Sequence, residues 1–192
     1  KFYFDKENQD FSTGITAYES LGNKNSDRYQ YTLPYYDFNK DLTSILEDNS
    51  IQGTLNFSSG GSNTLKNTNN LRTTISNGLG YSSPDYISNL GFKNIFGLYF
   101  RNSNLMGKND SIYTSNPQID GMSMIKIDTF YPLLKSTDTT KEILTPKISF
   151  RINPGNNMND YSGSSSRIDA ANAFEFNRLG ISDDFEAGRS IT

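Results

Sequence analysis

The chain has 192 residues, with 18 basic and 21 acidic side chains, no histidine and no cysteine. Its net charge of −3 comes without a basic block, which excludes a phosphate-tracking nucleic-acid surface, and the missing cysteines exclude disulfides and thiolate sites. A hydrophobic fraction of 34% is low for a soluble core of this size, and no run of about twenty apolar residues marks a membrane helix.

The 13 Phe and 12 Tyr, set among Asn, Ser, Thr and Gly, suit β-strands joined by turns. In chain order, residues 22–28 form a polar turn between alternating runs. Residues 28–38 (RYQYTLPYYDF) form the next strand. Pro34 cannot donate a ladder hydrogen bond, so it marks a bulge or a strand start. In 51–57, Ile51, Leu55 and Phe57 share one face, and residues 58–63 (SSGGSN), with Gly60 and Gly61, read as a turn. Leu71, Ile75, Leu79 and Tyr81 then oppose Arg72, Thr74 and Ser76, and a turn follows at 82–85. Phe92, Phe96, Leu98 and Phe100 oppose Lys93, Tyr99 and Arg101. Finally Leu144, Ile148, Phe150 and Ile152 oppose Thr145, Lys147, Ser149 and Arg151. Two longer connections, at 106–119 and 154–167, flank a short turn at 135–141. In an up-and-down meander that spacing puts both long loops at the same end.

These patterns predict an all-β fold, an antiparallel up-and-down meander of about eight strands paired in sequence order, with two free edges. Strands of about ten residues or more match a tilted membrane-crossing strand better than the globular average of about five or six. In that arrangement Leu55, Phe57, Ile75, Leu79, Phe96, Leu98, Phe100, Ile148 and Phe150 face lipid, and Arg72, Arg101, Lys147 and Arg151 face a wet lumen. A β-sandwich also alternates, with its polar face toward solvent. Tyr29, Tyr31, Tyr35, Tyr36, Tyr81, Tyr86, Phe130 and Tyr131 fit an aromatic girdle or a sandwich core.

Catalysis has little to draw on. Without His or Cys the commonest bases, thiol nucleophiles and transition-metal ligands are missing. Asp183, Asp184 and Glu186 lack the spacing of a calcium loop, and Ser162 and Ser164 to Ser166 have no neighbouring base. No catalytic residue, metal or cofactor is expected.

The last third carries the most specific pattern. TPKISFRINP (residues 145–154, with Pro146 and Pro154) precedes a Gly/Asn/Ser-rich loop and then NAFEFNRLGISDDFEAGR (residues 172–189). This order resembles the barrel domain of the LptD family of lipopolysaccharide-assembly proteins, where a strand ending in Arg/aromatic-x-Pro, a long loop and N-R-aromatic-x-x-x-D-x-aromatic-E-G-G recur. Asn177, Arg178, Asp183, Phe185, Glu186 and Gly188 match; Leu179 and Ala187 replace an aromatic and a glycine, and Asp184 stands where a basic residue is common. The segments around Leu21 and Pro34 resemble the family's earlier strands.

The resemblance implies an internal fragment of an outer-membrane β-barrel spanning 1–192, with no periplasmic jelly-roll domain, in a protein that transports lipopolysaccharide without chemistry. It implies as partners lipopolysaccharide, outer-membrane lipid, an LptE-like plug lipoprotein and an LptA-like periplasmic bridge reached through a separate domain. The start at Lys1 and the end at Thr192 read as an excerpt of a longer chain. Pro34, Pro146, Pro154, Asn177, Arg178, Asp183, Glu186 and Gly188 are then structural residues. An Arg178 to carboxylate contact would brace the loop that follows Pro154. Two other readings stay open: another outer-membrane barrel, such as a porin or uptake receptor, and a secreted glycan-binding sandwich.

Overall fold

A computed structural model describes residues 1–19, 29–66, 69–155, 168–175, 178 and 186–192. Its order is β1 (Phe2–Lys6), β2 (Gln9–Glu19), β3 (Tyr29–Asp41), α1 (Thr43–Asp48), β4 (Thr54–Lys66), β5 (Asn70–Ser82), β6 (Tyr86–Ile87), β7 (Lys93–Lys108), β8 (Gln118–Phe130), β9 (Leu133–Ser136), β10 (Lys141–Leu144), β11 (Lys147–Asn153) and β12 (Gly188–Ile191). The main sheet is an antiparallel meander ordered β1-β2-β3-β4-β5-β7-β8-β11-β12, with β6 paired to β7. Among the described residues β1 and β12 do not pair with each other, so the sheet does not close. β9 and β10 form a separate hairpin.

The chain falls into two compact units. One comprises Lys1–Ser44, Asn56–Leu79 and Phe100–Gly121; the other comprises Ile45–Leu55, Gly80–Tyr99 and Met122–Thr192. In the first unit β2 pairs with β3 and β3 with β4, both with a break in register. The breaks fall between Gly14 and Thr16 and between Thr32 and Tyr35, on either side of Pro34. A proline without an N–H interrupts both ladders of the strand that holds it.

Three local readings of the sequence are corrected. Residues 58–63 are not a turn but the interior of β4, and Ile51 precedes that strand rather than belonging to it. The glycines are there for space. A Cβ on Gly61 would lie 2.7 Å from the Tyr36 ring and 2.9 Å from the Thr74 carbonyl, and one on Gly14 would meet the Tyr35 ring. Residues 135–141 are not a short link between long strands but the end of the β9–β10 hairpin, which takes Leu144 away from β11. Pro132 and Pro146 remove ladder donors where β8 would run into β9 and β10 into β11. The six-residue α1 is too short to leave a helical period in the sequence; Asp41 Oδ1 caps it by accepting from Thr43 N at 2.8 Å.

Burial along β7 and β11 is inverted relative to a soluble sheet. In β7, Phe96, Leu98 (51% exposed) and Phe100 are exposed, while Gly97 is buried and Tyr99 and Arg101 are half-buried. In β11, Ile148 is 59% exposed, whereas Ser149 is 0% and Arg151 4% exposed. Phe57, Leu55 and Phe150 are half-buried. The buried hydrophobic side chains among the described residues are Leu46, Leu105, Met122 and Met124, with Tyr99 packed on the two methionines.

The close approach at Gly61 is directly testable. Gly61→Ala is expected to lower the unfolding free energy by about 1–3 kcal/mol through overpacking against Tyr36. Gly121→Ala, whose nearest neighbour would be the Arg101 carbonyl at 3.9 Å, should stay within about 0.5 kcal/mol of wild type in the same denaturant titration.

Candidate functional site

Five charged or polar side chains from β8 and β11 converge in the second unit. The register sets Ser149 opposite Asp128, Arg151 opposite Lys126 and Lys147 opposite Phe130, so these side chains share one face. Asp128 Oδ2 lies 2.9 Å from Lys126 Nζ and 3.3 Å from Lys147 Nζ. Lys147 Nζ also sits 4.8 Å from the Phe130 ring centroid and 4.9 Å from that of Phe174. One carboxylate thus pairs with two cations. Asp128 Oδ1, Ser149 Oγ, and Nε and Nη1 of Arg151 are buried without a hydrogen-bond partner among the described residues.

A short strap, residues 168–175, covers these cations. It is shaped by an Asx turn. Asp169 Oδ1 accepts from Ala171 N at 2.8 Å and Asn172 N at 3.2 Å, and Asn172 Oδ1 accepts from Asp169 N at 2.9 Å. Three successive strap carbonyls then meet the sheet. Arg151 Nη2 donates to Ala173 O at 3.2 Å and Glu175 O at 2.5 Å, and Lys126 Nζ donates to Phe174 O at 2.9 Å.

Arg178 is buried and makes a two-pronged contact with Glu186. Nε donates to Oε2 and Nη2 to Oε1 at 2.6 Å, while Nη1 donates to Thr192 Oγ1 at 2.8 Å. The hydrogen bond from Arg178 to Glu186 pushes the guanidinium further into its charged range. Thr192 in turn exchanges backbone hydrogen bonds with Ser149, and β12 pairs with β11 from Phe150↔Ile191 to Asn153↔Gly188. Arg178 therefore ties its segment to the end of the sheet.

The first unit has its own polar organisation. Tyr36 Oη lies 3.2 Å from Ser59 Oγ, which donates to Asn77 Oδ1 at 2.8 Å. Asn77 Nδ2 donates to Asn102 Oδ1 at 3.3 Å, and Asn102 Nδ2 to Asp120 O at 3.1 Å. This ladder crosses β3, β4, β5, β7 and β8 without a charged side chain. Beyond β7, Asp110 takes Arg72 Nε and Nη2 at 3.0 Å each, and its Oδ1 also accepts from Ile112 N and Tyr113 N. The Arg72 hydrogen bond, followed by the two backbone donors, holds the Asp110 carboxyl at about 2.

Of the residues singled out in the sequence, Arg178, Glu186 and Gly188 are brought together around β12, and Pro154 follows Asn153, the partner of Gly188. Gly188 adopts φ +86°, open to glycine and strained for other residues. Pro146 O accepts from Tyr131 N at 3.0 Å at the root of the hairpin, and Pro34 lies in the first unit. Asn177 and Asp183 lie outside the described residues, as does Asp184. Among the described residues no cluster of acidic side chains could hold a metal. Lys126, Asp128 and Asp110 escaped the sequence reading, although KIDTF shows the alternation that puts Lys126 and Asp128 on one face. No protein-family model, curated protein or solved structure matches the chain.

Two outcomes follow. Arg178→Ala leaves Glu186 without its partner and is expected to cost about 1–3 kcal/mol, between exposed and fully buried ion pairs, with faster hydrogen exchange at the β12 amides. The Asp110 latch has a pH signature. Because its folded value is depressed, its stabilisation is fully present above the unfolded-chain value of about 4 and is lost as pH falls through about 2. Amide exchange at Ile112 and Tyr113 should stay protected at pH 4 and open near pH 2, and Asp110→Asn should remove that dependence.

Proposed function

We propose that this chain is a run of wall from an outer-membrane β-barrel of the LptD kind, contributing to lipopolysaccharide transport and assembly without catalysis. The observation that carries the membrane part is the inverted burial. Among the described residues thirty large hydrophobic side chains are exposed and four hydrophobic side chains are buried, while Ser149, Arg151, Asn153 and Arg178 are buried. The face of β7 and β11 that carries Phe96, Leu98, Phe100 and Ile148 outward is stable against hydrocarbon, and the opposite face, with Ser149 and Arg151, suits a wet lumen. Strands of 11 to 16 residues from β2 to β8, the two-residue β6 aside, are long enough to cross a bilayer when tilted. No helix among the described residues is long and apolar enough to do so. The lipopolysaccharide part rests on the sequence resemblance of residues 145–154 and 172–189. On this reading lipopolysaccharide and outer-membrane lipid are the partners, with an LptE-like plug and an LptA-like bridge engaging the whole protein.

Membrane insertion predicts that Leu98→Arg hinders assembly into lipid, at a cost of about 2–4 kcal/mol near the midplane. Equal refolding yields for wild type and Leu98→Arg in phospholipid vesicles would contradict it. The transport role predicts that Arg178→Ala, in the native protein, weakens plug co-purification and admits large antibiotics through the outer membrane. A porin carrying the same change would leave surface lipopolysaccharide intact, so the amount of lipopolysaccharide at the cell surface separates the two barrel readings.

A further inference from the structure

Arg151 and Lys126 stand directly opposite each other across β8 and β11, an arrangement in which like charges repel. Asp128 is shared between Lys126 and Lys147 through one oxygen, and Glu186, the other carboxylate that acts on Arg151, is already paired with Arg178. Arg151 is 4% exposed, and Nη2 donates to two neutral backbone carbonyls. Its Nε and Nη1 have no partner among the described residues. A buried guanidinium held by carbonyl dipoles is under-compensated, because charge-assisted hydrogen bonds to an anion are roughly twice as strong as those to neutral acceptors.

We propose that Lys126, Lys147 and Arg151 form a binding site for an anionic oxygen group, a phosphate or carboxylate, and that carbonyls 173–175 of the strap occupy it when that group is absent. The three carbonyls imitate an anion's oxygens at the two opposed cations, and Phe174 offers its ring to the third. Entry of the anion exchanges neutral acceptors for charged ones at Lys126 and Arg151 and releases the strap. The site therefore couples ligand binding to the position of residues 168–175. This inference stands on register and contacts within one unit and does not depend on the membrane reading.

The chain has no cysteine, so a nitroxide on Ala171→Cys, an exposed strap position, reports the strap alone. Sodium phosphate, sodium acetate and sodium chloride are titrated separately at constant ionic strength into the protein in detergent, and label mobility is followed. Phosphate is expected to raise mobility saturably while chloride does not; a response to acetate as well assigns any oxyanion, and its absence assigns phosphate. In Lys126→Gln, which leaves the Arg151 to strap contacts in place, the phosphate midpoint should rise at least about ten-fold. Phosphate binding measured directly by calorimetry should weaken in parallel. A mobility unchanged by both oxyanions, a non-saturating change identical in chloride, or an unaltered midpoint in Lys126→Gln would overturn the proposal.

Discussion

A β-strand sends successive side chains to opposite faces, and in β7 and β11 apolar residues take the exposed face while Tyr99, Arg101, Ser149 and Arg151 take the more buried one. That inversion sets every other requirement. A buried polar face has to satisfy its own hydrogen bonds, and the two units meet this demand differently. In one, the neutral Tyr36–Ser59–Asn77–Asn102 ladder runs from strand to strand and needs nothing from outside the sheet. In the other, cations outnumber carboxylates on β8 and β11, and backbone carbonyls of a separate segment are recruited to cover them.

Aromatic residues on both faces depend on glycine. Tyr35 and Tyr36 lie where a Cβ on Gly14 and Gly61 of the neighbouring strands would be, and Tyr99 where one on Gly97 of its own strand would be, so large rings fit without prising the ladder apart. Gly61 is for this reason a strand residue, despite a local composition that reads as a turn. Arg178 answers a different need. Its fork on Glu186 and its bond to Thr192 fasten the end of a four-residue β12, which has little ladder of its own.

Much of the fold was legible because period-two alternation survives wherever one face is apolar. The strand at residues 71–81 emerged as β5, Asn70–Ser82, and the 92–101 strand as the first part of β7. Legibility failed where a residue's role lay in a neighbouring strand. Nothing local to SSGGSN reveals that Tyr36 needs the room, and nothing in Leu144 reveals that Pro146 cuts it off from β11. That Arg178 would meet a carboxylate was readable from opposite charges beside a Gly-rich loop; that the carboxylate is Glu186 was not. The strap was not, since its anchoring groups are backbone carbonyls, which every sequence has.

The central claim is that the exposed apolar face meets lipid, and accessibility scanned along β7 addresses it most directly. Nitroxides placed singly from residue 96 to residue 101, in protein reconstituted into phospholipid bilayers, would be exposed to oxygen, which partitions into hydrocarbon, and to a water-soluble nickel chelate. The account predicts strict alternation: labels at Phe96, Leu98 and Phe100 favour oxygen, and those at Gly97, Tyr99 and Arg101 favour nickel or are shielded from both. Preferential nickel access at Phe96, Leu98 and Phe100 would contradict it, placing that face in water or against another protein.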